Sequence, residues 1–552
     1  MYTFNLKINL ITALMGKHLL AIFFSVFVGA LILGPQLVFI TMEGTHYQGL
    51  YMMTTDAEDF YLARIHEYYD EGRVGNPYLY EYKFYGPMFY SFGAETLLAI
   101  PGKLFNISVP TLNLIYKFML PALQFLLAYA LLFRLSGSRL WSIAGGIMVF
   151  TGLVWFDWDY LKNNIYVAIQ SGNFQDLWYR VPGPLYVGRP VHPQFSQLHL
   201  LLYLHALLSF ISTAGKRQNN YALLLATLLA LSFYTYFYSF TFFLTVNGVL
   251  ITYWLLSKNF ARMSALLCST LGGLLFGMPP LYAIYSAMHH PDYTRVAKAL
   301  WVMPSHHFVV SFSTVSLAVL LGIYYYIQRK EKSAEFQHEK FVFVFALIIA
   351  GFVVVNQQVL SGVTLQYVHY FRSIIYPIDA LLFFLLVHLY SRYFFPDNIH
   401  KLFFFRNMPW VAITLLVSMG IFIQYIAYRN DALITSGEQR LMPAIKWLAE
   451  HTQKESVIMA NQRLSELIPV FTANNVMWVD DYISAGFLVP AERAQFTPEQ
   501  LLQSDDFYRD AKKYRLDYIL WDKESNPDWR IERYKLTQLY SASGLEIYLA
   551  PR

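Results

Sequence analysis

The chain has 552 residues, 56% of them hydrophobic and only 14% charged, with a mean hydropathy of +0.36 and a formal net charge of +5. A soluble globular protein carries about 25% charged residues, so this composition argues against one and implies a polytopic membrane protein. The single cysteine, Cys268, excludes an intrachain disulfide and a cysteine-ligated zinc site. With no basic arm or tail, the positive charge reads as membrane topology and not as nucleic-acid binding.

Lys7 and Lys17 precede an apolar run from His18 to Ile40. The run is too long for a signal-peptide core and lacks a small-residue cleavage site, so it reads as an uncleaved first span. About a dozen residues further on stands Thr54-Thr55-Asp56-Ala57-Glu58-Asp59-Phe60-Tyr61-Leu62-Ala63-Arg64. Thr55 and Glu58 make a capping-box pattern, which predicts a helix start at Thr55. Asp56 and Asp59, three apart, share a face of that helix, and Glu58 turns toward the cap. Carboxylates held at a membrane surface can act as a general base or coordinate a divalent cation. The bland alternative is that acids favour any first helical turn. Segment 86–105 carries Glu95, Lys103 and Pro101-Gly102 and reads as an interfacial or re-entrant helix.

A spanning helix needs about 20 mostly apolar residues. Eleven stretches qualify: 18–40, 111–134, 140–157, 195–213, 221–236, 238–256, 263–287, 308–327, 341–359, 374–393 and 409–427. A single helix over 221–256 would be about 54 Å long against a hydrocarbon core of about 30 Å, which predicts a turn between Ser232 and Ser239. With eleven spans, one set of short loops holds thirteen Lys and Arg, from Arg134 to Arg406, and the opposite loops hold six: Lys162, Arg180, Arg189, Arg295, Lys298 and Arg372. The richer side is cytoplasmic. The N-terminus is then cytoplasmic, and the first loop (41–110) and everything after about residue 429 lie outside.

Several polar groups fall on that outer face. Asp157 and Asp159 form an Asp-x-Asp directly after a span, readable as a cation site or as a solvated span end. Gly188-Arg189-Pro190-Val191-His192-Pro193-Gln194 leads into the fourth span, with Pro193 placed to open it; Arg189 and His192 line an outer cavity or serve as ordinary caps. Arg295 and Lys298 are candidate anion ligands. The loop from Asn356-Gln357-Gln358 through Gln366 to His369 and Arg372 is dense in hydrogen-bonding groups at membrane depth, where polar side chains are costly. Arg372 could pair bidentately with a phosphate or snorkel to the interface. The 43 tyrosines form interface belts or stack on sugars. Residues 430–552 alternate helical signals (438–451, 498–513) with short apolar runs at 457–460, 476–479 and 518–521, which predicts a small α/β domain after a membrane module over 1–429.

Taken together, these features resemble the GT-C superfamily of membrane glycosyltransferases, which includes oligosaccharyltransferase, the protein mannosyltransferases and the lipid A aminoarabinose transferases. The likeness rests on the acidic first loop, with Asp56-Ala57-Glu58-Asp59 followed by Gly75-Asn76-Pro77-Tyr78, on the many spans, and on the terminal α/β region. The resemblance implies a polytopic α-helical GT-C-like fold and an inverting transfer of a sugar from a polyprenyl-phosphate or polyprenyl-diphosphate donor. The acceptor would be a glycan, lipid or protein, at the outer face of a bacterial cytoplasmic membrane. Asp56 and Asp59 match the family's first-loop catalytic aspartate. Arg372, His369, Arg295 and Lys298 would take the donor phosphate, and Asp157, Asp159, Arg189, His192, Gln357 and Gln366 would line the cavity. Mg or Mn, if bound, would fall to Asp56, Asp59 and Asp159. The Trp-Trp-Asp motif of oligosaccharyltransferase is missing, so nothing implies asparagine glycosylation. Two other readings stand beside this one: a transporter or flippase of lipid-linked sugars, disfavoured because no internal repeat is visible, and a non-catalytic assembly subunit.

Overall fold

A computed structural model describes residues 2–53, 58–84, 91–151, 162, 166, 169–172, 188–331, 337–394 and 403–551. Among these, eight helices are long and apolar enough to cross a membrane: Gly16–His46, Val109–Ser136, Pro190–Ile211, Phe237–Leu256, Phe260–Met288, His338–Ser361, Tyr367–Phe394 and Asn407–His451. Each falls on one of the eleven predicted spans. The other three are helices as well, but weaker ones. Arg139–Thr151 has 13 residues. Lys216–Thr235 opens on Lys-Arg-Gln-Asn-Asn, and Phe312–Glu331 closes on Gln-Arg-Lys-Glu, so polar end turns dilute both. The protein is a multi-pass helical membrane protein. The turn expected between Ser232 and Ser239 is at Tyr236, whose extended backbone (φ −154, ψ 111) separates Lys216–Thr235 from Phe237–Leu256.

The chain divides into two compact units. The first comprises Met1–Pro35, Ile115–Gly277 and Pro304–Tyr428. Its interior is apolar, and some of its buried polar groups pair with one another: Tyr203 stacks on Phe243 at 3.8 Å and donates to Asn247 at 2.7 Å, and Asn247 donates to Thr270. Buried Asp379 accepts from Ser313 and Thr314 at 2.6 and 3.0 Å.

The second unit comprises Gln36–Leu114, Met278–Met303 and Arg429–Arg552. It contains a five-stranded sheet: β1 (Val457–Met459), β2 (Asn475–Val476), β3 (Leu516–Asp522), β4 (Gln538–Ala542) and β5 (Leu545–Leu549), in the order β2-β1-β3-β5-β4. β1 runs parallel to β2 and β3, while β5 is antiparallel to β3 and β4. β1 and β3 fall on the apolar runs at 457–460 and 518–521, while β2 meets the run at 476–479 only at Val476. The β4–β5 hairpin was not anticipated; its signal is Ser543-Gly544, both at positive φ (52 and 74), as a two-residue hairpin turn requires.

The first loop also belongs to this unit and completes the sheet. The Val476 amide donates to the Tyr78 carbonyl at 2.7 Å, and the Asn475 side chain donates to the Pro77 carbonyl at 3.1 Å, so residues 77–78 cover the edge of β2. Asn76 shapes this segment by accepting from the amides of Tyr78 and Leu79, an Asx turn. Gly75 is required beside it, because a Cβ there would meet the Lys83 carbonyl. Segment 86–105, expected not to cross the bilayer, yields the helix Gly93–Leu104. Its 12 residues reach about 18 Å, short of a crossing.

Candidate functional site

The helix Glu58–Glu71 carries the first-loop acids that the structure describes. The chain leading to it is held by two buried glutamines that act as single rungs of a strand ladder. Gln36 donates to the Met52 carbonyl at 2.8 Å and accepts from the Met52 amide at 3.2 Å. Gln439 accepts from the Gln48 amide at 2.8 Å and donates to the Leu50 carbonyl at 2.8 Å.

Asp59 is buried at the start of the helix. One carboxylate oxygen accepts from the Phe60 amide at 2.9 Å and the other from Arg463 Nη1 at 2.8 Å. Arg463 is held in turn by Glu438, Nε to Oε1 and Nη2 to Oε2, both at 2.9 Å. That bidentate fork fixes the plane of the guanidinium. Glu466 reaches Nη1 at 3.3 Å. Asp480 caps a neighbouring helix by accepting from the Ile483 amide and receives Gln462 Nε2 at 3.4 Å. Carboxylates outnumber guanidiniums here, and the electrostatics follow. Burial lifts the Asp59 carboxyl above its ordinary range in spite of Arg463. Burial, then the Asp59 charge, pushes Glu466 up to about 7. Burial also raises Asp480. Burial and mutual repulsion thus favour the protonated form across this group of carboxylates.

Glu58, expected to serve the cap, accepts from Asn113 Nδ2 at 2.7 Å and is buried; Thr55 and Asp56 lie outside the described residues. One turn further, Arg64 pairs with Glu95 at 2.8 Å, donates to the Ser91 carbonyl, and lies 4.3 Å over the Phe92 ring. Burial raises the Glu95 carboxyl, and Arg64 opposes the shift. This pair, with Lys103 donating to the Tyr68 and Tyr69 carbonyls, fastens the short helix to Glu58–Glu71. Arg295 bonds the Asp481 carboxylate and the Val489 carbonyl, and Lys298 is exposed on the same short helix, Tyr293–Ala299.

In the first unit, three expected groups converge on the break at Tyr236. The Tyr236 hydroxyl is 3.0 Å from His369 Nδ1 and 3.2 Å from Ser373 Oγ. Tyr238 stacks on the His369 ring at 4.8 Å and donates to Gln366 at 2.8 Å. The His192 ring centroid is 4.3 Å from that of Tyr236. His369, Gln366 and His192 thus share one aromatic centre. Arg372 stands one turn beyond His369, and its carbonyl accepts from Gln197 at 3.4 Å. Arg189 is buried at the start of the turn Pro190–Phe195 that leads into the helix Ser196–Ile211, with Pro193 inside that turn. Gln357 stays within its own loop, donating to the Val363 carbonyl. Asp157 and Asp159 lie outside the described residues. Sequence reading missed Tyr236 and Tyr238 as site residues, although the predicted turn pointed at both; it missed Arg463, Glu438 and Glu466 because no local pattern ties them to Asp59. Among the described residues, no group of three or more His, Cys, Asp or Glu is arranged to hold a metal ion.

No family model and no curated protein matches the sequence. The structure, however, resembles that of ArnT from Cupriavidus metallidurans bound to undecaprenyl phosphate, with a TM-score of 0.50 and 12% identity, covering 93% of this chain and 97% of that one. The fold is the GT-C fold. The apo state of the same ArnT gives a TM-score of 0.47 at 11% identity, again over 93% and 97% of the two chains. The Archaeoglobus fulgidus oligosaccharyltransferase in the apo form gives 0.45 at 12% identity, covering 92% of this chain and 70% of that one. That fold holds many spans and a strand-bearing C-terminal region within a single chain.

Proposed function

We propose that the protein is a membrane glycosyltransferase that moves a sugar from a polyprenyl-phosphate-linked donor to an acceptor at the outer face of the cytoplasmic membrane, with inversion. The observation that carries this reading is the buried, arginine-held acidic helix start that follows the first span, in a chain of which 93% follows the fold of an ArnT bound to undecaprenyl phosphate. In the proposed reaction an acceptor oxygen or nitrogen attacks the anomeric carbon, the bond from that carbon to the donor's phosphate oxygen breaks, and polyprenyl phosphate leaves. Asp56 and Asp59 are the proposed acids of the first loop. Asp59, tied to Arg463, suits holding the helix start and its charge, which leaves Asp56 as the stronger candidate to accept the acceptor's proton. His369, beside the Tyr236 hydroxyl, and Arg372, one turn further along the chain, are the proposed ligands of the leaving phosphate. Arg295 and Lys298 are held in reserve for that part, because Arg295 already serves Asp481. A divalent cation, Mg or Mn, stays a proposal for Asp56 and Asp159, and no step is routed through it.

The test is sugar transfer from a purified polyprenyl-linked donor by Asp56→Asn, Asp59→Asn and Glu58→Gln, with folding measured separately. Loss of a general base typically costs about 100- to 10,000-fold in rate, so Asp56→Asn should lose at least 100-fold. Arg372→Ala should weaken binding of undecaprenyl phosphate more than it lowers the melting temperature. Full transfer by both aspartate variants would remove the chemical centre of this reading.

A further inference from the structure

One open groove of the first unit takes no part in the reading above. It lies where the helix Tyr2–Glu43 passes Val109–Ser136 and Arg139–Thr151, and has a volume of about 940 Å³. His18 Nδ1 and the Tyr129 hydroxyl, 2.6 Å apart, join two of these helices in its wall. Leu19, Phe23 and Val26 run along it at the i, i+4, i+7 spacing of one helix stripe, and they are 64%, 61% and 52% exposed. Two exposed cations, Lys17 and Arg139, line the same groove, and among the described residues no carboxylate does. Neither cation has a hydrogen bond or an ion pair among the described residues. Their neighbours differ: Arg134 bonds His205 and Ser209, and Lys340 bonds the Leu135 carbonyl.

An uncovered apolar stripe in a multi-pass protein is covered by acyl chain, and two unpaired cations at its end call for a phosphodiester without a compensating ammonium. We propose that this groove binds a diacyl phospholipid of net negative charge, its phosphodiester between Lys17 and Arg139 and its acyl chains along Leu19, Phe23 and Val26. Both cations sit at span ends that the lysine and arginine distribution assigns to the cytoplasmic face, whereas the donor in the proposed reaction is used at the other face. The groove is therefore a structural lipid site and does not depend on the catalytic reading.

The experiment is native mass spectrometry of the delipidated full-length protein titrated with dioleoylphosphatidylglycerol, dioleoylphosphatidylcholine or undecaprenyl phosphate. Wild type should retain one phosphatidylglycerol well above the occupancy of phosphatidylcholine. Each basic residue near an anionic lipid is worth about fivefold in binding, so Lys17→Ala with Arg139→Ala should weaken retention about 25-fold, while the charge-keeping pair Lys17→Arg and Arg139→Lys should preserve it. Equal retention of the two phospholipids, unchanged retention by the alanine pair, loss of retention in the charge-keeping pair, or preference for undecaprenyl phosphate at this groove would each overturn the proposal.

Discussion

At the scale of single residues, the Arg463 guanidinium decides what Asp59 can do. An aspartate with one oxygen on a backbone amide and the other on an arginine that is itself forked onto Glu438 has both oxygens occupied and is a good anchor. Replacing Arg463 by Gln would strand buried carboxylates, a change that costs about 3–5 kcal/mol at fully buried pairs; with Arg463 24% exposed, about 2–3 kcal/mol is expected. A double-mutant cycle with Asp59→Asn should return a coupling of at least about 1 kcal/mol, and additivity would show that the pair is decorative. Glu466 supplies a pH test. Its folded pKa of about 7 lies above the ordinary 4.5, so between those values the folded protein holds a proton that the unfolded chain has lost. Stability must then fall as pH rises through that window. Glu466→Gln should reduce this slope, giving a melting temperature close to wild type near pH 4 and higher than wild type near pH 8. None of this was legible in the sequence: Arg463 lies 404 positions from Asp59, and only a long-range contact reveals it. The aspartate itself was legible, because a charged helix start directly after an apolar span is a local pattern.

At the scale of elements, residues 48–52, between the first span and the acidic helix, are held by side-chain amides. Gln439→Ala should speed hydrogen exchange at the amides of Gln48 and Leu50, both of which donate to its oxygen. The Met52 amide, held by Gln36, should keep its protection. Uniform protection across 48–52 in that variant would mean that the glutamine is redundant. Most helices were legible because each is a run of about 20 apolar residues, and the break near Tyr236 was forced by length. Strands β1 and β3 showed as apolar runs. β4 escaped because it is largely exposed, so it carries no buried face to mark it, and only the Ser543-Gly544 turn announces the hairpin.

At the scale of the whole molecule, the distribution of Lys and Arg fixes an expected orientation that the fold alone leaves open. A reporter active only in the cytoplasm, fused after Arg552, should be silent, and strong signal would overturn the eleven-span topology. The covered edge of β2 has a consequence for inheritance and for engineering. Because Tyr78 supplies the partner of Val476 and Arg493 grips Glu81 at 2.5 Å, the piece that could be transplanted between homologues is discontinuous in the gene. A chimera that imports 430–552 alone would carry a sheet edge whose mate stayed behind with the donor, and such bare edges recruit foreign strands. Recombination within this gene should therefore succeed only when both stretches travel together, and soluble expression of the C-terminal piece should improve when a peptide spanning residues 75–84 is supplied in trans.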